Sequence, residues 1–151
     1  MTTTISSPRQ TIERFLQAAV SPQPGDIADC YADHVVIEMP FASGLTPGRI
    51  ETTREELRAR FAAGRAVRHY TRVYDVRIHE TTDPVVLVAE YRMDGRLVSD
   101  ASPFSMNFVM VLQFRDGLIA AARDYSDPIA GARALGRLPE LAAMLAADSA
   151  G

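Results

Sequence analysis

No lysine occurs anywhere in this chain; all 16 of its basic residues are arginine. That absence removes Schiff-base chemistry and the phosphate-binding lysine of a P-loop. Cysteine is nearly as scarce, and the single Cys30 excludes an internal disulfide. It reads as a small buried spacer, because a catalytic thiol needs a histidine beside it and only His34 is near in sequence. Charge of one sign is missing too: 16 basic and 19 acidic residues are interspersed and leave a net charge of −3. With no basic stripe to follow a phosphate backbone, nucleic acid is not an expected partner. No apolar run approaches the roughly 18 residues of a membrane span, so no membrane association is expected. Residues 1–7 are polar, without the basic start or apolar core of an export signal, and a cytoplasmic location is the expectation. The three histidines stand singly, with no His-x-x-x-His or Glu-x-x-His spacing. Neither a metal site nor a cofactor is therefore expected. Residues 44–48 contain glycine but are too short, and lack the strand–helix setting, for a nucleotide fingerprint.

What is present is enough apolar residue for one core. The chain has 151 residues and a hydrophobic fraction of 47%, which suits a single domain over 1–151 that buries roughly 70% of its unfolded surface. Ser7-Pro8-Arg9-Gln10 is a helix start: Ser7 caps, Pro8 suits the first turn and Gln10 completes a capping box. Ile12, Phe15, Leu16 and Ala19 then form one apolar stripe. The Ser- and Pro-rich stretch 21–25 ends that helix, and a short helix through Ile27 and Tyr31 follows. A strand covers 35–40, residues 42–48 are a loop, and Thr53 with Glu56 opens a second capped helix carrying Leu57 and Phe61. Four strands come next, over 69–79, 85–93, 104–114 and 118–125. Asp94-Gly95 and Asp116-Gly117 read as hairpin turns, and Thr82-Asp83-Pro84 as a further turn. Asp127-Pro128 starts a helical tail over 128–147 that Gly136 and Pro139 interrupt. The ordered core is expected over about 8–138, with the last residues frayed. Helices first and an antiparallel meander afterwards make an α+β architecture, with helices packed on one face of a curved sheet.

This order of elements carries Tyr31-Ala32-Asp33, Glu38-Met39-Pro40, Asp116-Gly117 and Arg123-Asp124-Tyr125-Ser126-Asp127. Together they resemble the nuclear transport factor 2-like superfamily, and within it the SnoaL-like and limonene-epoxide-hydrolase groups. The resemblance covers roughly residues 8–138. It implies a cone: a curved, mostly antiparallel sheet wrapped around the N-terminal helices, with a deep pocket that the tail partly closes. It also implies a homodimer formed through the outer sheet face. The fold hosts isomerases, cyclases, hydrolases, dehydratases and binders, so it does not fix the activity.

Strand alternation sets Leu118, Ala120, Ala122 and Asp124 on one face of the last strand, the alanines leaving room before Asp124. The epoxide-hydrolase group has a base aspartate in the matching motif, which makes Asp124 the candidate base. An apolar pocket would raise the pKa of its carboxyl and suit it to acid–base work near neutrality. That group's remaining relay matches Tyr91 and Met93, and its water-holding pair matches Glu38 and Val36. Tyr91 and Glu38 are therefore the candidate helpers, in a constellation that differs from the hydrolase's. The ketosteroid-isomerase positions fall on Phe15, Met39 and Met110, all apolar, which argues against that mechanism. The expected lining for a small apolar ligand is Phe15, Met39, Phe61, His69, Met106, Phe108 and Met110. His69 at the rim is a candidate proton shuttle. Val109 and Val111, with Asn107 and Gln113, occupy the opposite face and suit an interface. Two readings result. One is a cofactor-independent cyclase, isomerase, dehydratase or epoxide-opening hydrolase acting on a polyketide- or terpenoid-like metabolite. The other is a non-catalytic pocket protein or dimeric adaptor.

Overall fold

The computed structural model describes residues 4–21 and 27–149. The break expected over 22–25 and the last two residues lie outside them. Helix α1, Pro8–Val20, begins as its sequence requires: Ser7 Oγ accepts from the Gln10 amide at 3.2 Å and Gln10 Oε1 accepts from the Ser7 amide at 2.9 Å. Its stripe of Ile12, Phe15 and Leu16 is buried. A three-residue 3-10 turn, Ala28–Cys30, replaces the short helix expected through Tyr31, and strand β1, Tyr31–Glu38, starts at that tyrosine. Pairing explains the difference: Tyr31 already lies opposite Ile119 of the last strand, so the sheet takes a residue whose local pattern, buried at 31 and 35 and exposed at 33 and 34, suits a helical turn equally well.

Strand β2, Arg49–Thr53, pairs antiparallel with β1 and was not expected from the sequence. Helix α2, Arg54–Arg65, has the Thr53/Glu56 capping box, and Arg54 ties it to β1 through the Tyr31 carbonyl at 2.8 Å. Strands β3 (Arg68–Glu80), β4 (Val86–Leu97), β5 (Pro103–Arg115) and β6 (Leu118–Ser126) complete one six-stranded sheet, ordered β2-β1-β6-β5-β4-β3. Every pairing is antiparallel except β1 with β6. Register shifts in β3 near Thr71 and Asp75, where Asp75 takes a positive φ, and in β6 bend the sheet. The curved sheet wraps α1 and α2, which bury Ile12, Phe15, Leu16 and Leu57 against Leu87, Ala89, Leu112 and Ile119. The tail forms two helices, α3 (Pro128–Ala134) and α4 (Leu138–Asp148). Asp127 caps α3 by accepting from the amides of Ile129 and Ala130.

Two details of the sequence reading are corrected. Asp94-Gly95 is not a turn; β4 runs straight through it, and the chain reverses over 98–102. Asp94 does not fold back on its own backbone, because Tyr74 Oη and Ser105 Oγ on the flanking strands each donate to its carboxylate at 2.9 Å. In β6 the register slips between Gln113 and Phe114, so Phe114 faces Ile119 and Ala120 is the extra residue. Beyond the bulge it is Ile119, fully buried, that fills the core, while Leu118 is only half-buried. Nearer the site the expected parity resumes: Ala122 faces Leu112, and Asp124 faces Met110.

Candidate active site

Asp124 points from the far end of β6 into the hollow of the sheet, because its neighbour Ala122 is buried and the intervening Arg123 is exposed. Its Oδ1 is buried and has no hydrogen-bond partner. Burial alone lifts the carboxyl from its ordinary 3.8 to about 6. No arginine stands close enough to pull it back down, so the group is poised to exchange a proton near neutrality.

Two chambers meet at this carboxylate. The larger, about 560 Å³, lies under α1 and α2 and is lined by Phe15, Tyr31, Ile37, Met39, Phe61, His69, Tyr70, Tyr91, Phe108 and Met110 among others. The smaller, about 210 Å³, lies under the loop after β1 and helix α3, with Phe41, Leu45, Met106, Ser126, Gly131 and Leu135 on its walls. Met39, Arg68, Tyr70, Phe108 and Asp124 border both. The tail holds the roof of the smaller chamber in place: Arg137 donates to the Leu45 carbonyl at 2.9 Å and is itself braced by Glu140.

Two tyrosines flank the acid. Tyr91 stacks on Phe108, ring centroids 4.9 Å apart, and its hydroxyl donates to Met110 Sδ at 3.0 Å, on the residue directly opposite Asp124. A thioether is a weak acceptor, so a ligand oxygen can displace it. Tyr31 reaches the cavity from the start of β1, packed edge-on against Phe15 at 6.2 Å. Its hydroxyl makes no hydrogen bond among the described residues. Burial first, and then the Asp124 charge, push both phenols above their usual range, so both stay protonated as donors.

Of the residues singled out from the sequence, Asp124, Tyr91, Phe15, Met39, Phe61, His69, Phe108 and Met110 border the larger chamber. Met106 borders only the smaller one. Glu38 borders neither. Its neighbours Ile37 and Met39 do, and a residue between two inward side chains of a strand faces the other way. Tyr31, Tyr70 and Arg68 were missed. Tyr31 was hidden by the expectation of a helix at that point. Alternation from a strand start at Arg68 would have set Arg68 and Tyr70 on one face. Among the described residues no three His, Cys, Asp or Glu side chains gather closely enough to hold a metal ion.

A family model described as a SnoaL-like domain matches residues 12–122. The chain belongs to the SnoaL-like family. This places it in the nuclear transport factor 2-like superfamily, in agreement with the cone-shaped sheet. A PhzA/B-like protein of Pseudomonas aeruginosa is 31% identical to this SnoaL-like chain over 109 residues, covering 72% of it and 75% of the relative. The crystal structure of a Bacillus subtilis protein, provisionally described as an isomerase, superposes with a TM-score of 0.77 at 22% identity, over 86% of this chain and 93% of that one. A Mycobacterium tuberculosis epoxide hydrolase resembling limonene epoxide hydrolase superposes with a TM-score of 0.64 at 18% identity, over 86% and 90%. Further neighbours are provisionally described as polyketide cyclases. At these identities the solved structures establish the fold alone. No helix among the described residues is long and apolar enough to cross a membrane.

Proposed function

We propose that this SnoaL-like chain is a cofactor-independent acid–base catalyst for a small, mostly apolar metabolite, with Asp124 as its general base. One observation carries the reading: a carboxylate oxygen is buried without a partner at the junction of two chambers. An unpaired buried polar atom is expensive to maintain and is rarely retained without a use. In the proposed step Asp124 takes a proton from a carbon beside a carbonyl, and the electron pair moves onto the carbonyl oxygen. The Tyr91 and Tyr31 hydroxyls are the available donors to that oxygen. The proton then returns from Asp124 at another carbon, as in isomerisation, or the enolate carbon attacks a second carbonyl of the same molecule, whose π bond opens to an alkoxide that takes the proton back from Asp124, as in an aldol cyclisation. The same pair of roles would activate water against an epoxide. The neighbouring cyclases and epoxide hydrolase are compatible with either outcome.

Isotope incorporation separates these outcomes. Enolisable ketones and epoxides are incubated in deuterated, 18O-enriched water with wild type or Asp124→Asn, and the products are weighed by mass spectrometry. Deuterium at carbon with wild type only is the expected result and identifies proton abstraction. 18O with wild type only identifies water activation. Equal label with the two folded proteins would sink the role of Asp124. Binding without label in either would make the chain a ligand carrier, the reading favoured by the apolar Phe15, Met39 and Met110.

A further inference from the structure

The larger chamber is apolar within but cationic where α2 hands over to β3. Arg60, Arg65 and Arg68 border it there, and among the described residues Asp124 is the only acidic one on its walls. Arg68 is the informative one. It is half-buried, its Nε donates to Tyr70 Oη at 3.2 Å, and it stands over the Tyr70 ring with Cζ 5.5 Å from the centroid. Its terminal nitrogens lie beside Gly64, 3.6 Å from where a Cβ would sit, so the guanidinium packs against the end of α2. Among the described residues no carboxylate lies within ion-pair distance of it, whereas Arg49, Arg54, Arg58 and Arg137 each have one. Arg65 is anchored on the Ala18 carbonyl, and Arg60 is exposed one turn after Glu56. A guanidinium held half out of water by a phenol, stacked on its ring and bordering both chambers, is oriented for a planar anion.

We propose that the ligand of this cavity carries a carboxylate, which Arg68 binds, while its apolar body lies along Tyr91, Phe108 and Met110 toward Asp124. This names the substrate class of the site and rests on the reading of the cavity as the place where Asp124 meets its substrate. The substrate is then an amphipathic acid, a compact ring or chain with one anionic end, and not a neutral hydrocarbon epoxide. Arg60 and Arg65 add attraction at the entrance, and the carboxylate pairs on Arg68 a charge that no carboxylate among the described residues pairs.

Two dyes with the same aromatic body test it by fluorescence titration. 8-Anilinonaphthalene-1-sulfonate carries an anion and N-phenyl-1-naphthylamine does not. Wild type is expected to prefer the anionic dye by about tenfold or more, and to lose only part of that preference in high salt, because a half-buried pair is incompletely screened. Arg68→Met, which keeps the stem, is expected to abolish the preference while leaving the neutral dye's affinity unchanged. Arg68→Lys should keep part of it. Arg60→Gln, on the helix surface, should weaken only the anion, and by a few-fold. 4-Phenylbutanoate should displace the anionic dye, and its methyl ester should fail to. No preference in wild type would overturn the proposal, as would an Arg68→Met protein that loses both dyes equally while remaining folded by circular dichroism. Catalysis is scored separately. An anion preference that survives Asp124→Asn, with no turnover of any acid, would leave this inference standing and remove the acid–base reading. Asp124-dependent turnover of neutral compounds alone, with no anion preference, would do the reverse.

Discussion

At the scale of single residues, Asp124 is set apart by what it lacks. Burial raises its carboxyl to about 6, and one oxygen has no donor. A base must be ionised to act, so kcat/KM on a substrate that Asp124 deprotonates should rise about tenfold per pH unit below that value and level off above it. A profile flat from pH 4.5 to 8 would show that Asp124 is not the group that titrates. The tyrosines differ from each other in a testable way. Tyr91→Phe keeps the stack on Phe108 and loses only a bond to sulfur, so its melting temperature should hardly move. If its hydroxyl serves the developing oxyanion, kcat should fall about a hundredfold with KM little changed. A change in melting temperature with kcat intact would make Tyr91 packing and nothing more. Tyr31→Phe is expected to lower kcat as well, since no protein group among the described residues uses that hydroxyl.

At the scale of elements, the glycine of β4 shows how the sheet shapes the pocket wall. Gly95 lies between Tyr70 on β3 and Phe104 on β5, and their rings meet edge-on over it, centroids 5.7 Å apart. A Cβ there would come within 2.5 Å of the Phe104 ring and 2.6 Å of the His69 carbonyl oxygen. Gly95→Ala should therefore destabilise the fold by about 2 kcal/mol, read as a lower urea midpoint with an unchanged slope. It should also displace Tyr70 and so weaken ligand binding. Gly48→Ala, whose Cβ would meet nothing closer than 3.9 Å, is the control. Gly95 also explains why one turn was misread. Asp-Gly is a strong local hairpin signal, yet here glycine serves a cross-strand aromatic contact that no local pattern reveals. Where local chemistry decides, the sequence was legible: both capping boxes, the Asp127-Pro128 helix start and the Asp116-Gly117 turn, with positive φ at both residues, all appear. Asp124 was legible from alternation and motif together. Tyr31, Arg68 and Tyr70 were not, because they join the site only when the ends of β1 and β3 are known, and strand β2 earns its place by pairing, not by its own composition.

At the scale of the whole molecule, the site should weaken the fold that holds it, by an amount that depends on pH. The Asp124 carboxyl has a folded-state value of about 6 against 3.8 when free. The folded protein therefore binds this proton more tightly than the unfolded chain does. The group's favourable contribution is complete below about pH 4, where both states are protonated, and is lost as pH rises through 6. Above that the native state carries a poorly solvated charge, a penalty on the order of 2 to 3 kcal/mol at most for a shift of this size. Asp124→Asn removes the charge but leaves an amide in the same unpartnered place, so part of the gain is forfeited. At pH 7.5 the variant should be more stable than wild type by about 1 to 2 kcal/mol, or about 3 to 6 °C in Tm for a chain of this length. At pH 4 the two should melt together. Thermal melts across that range check it directly, and they need no substrate. A variant less stable than wild type at pH 7.5 would mean that the carboxylate is held by a partner and belongs to the scaffold. A gain that grows with pH through 6, in a protein whose turnover falls, is the pattern expected when an active site is kept at the expense of stability.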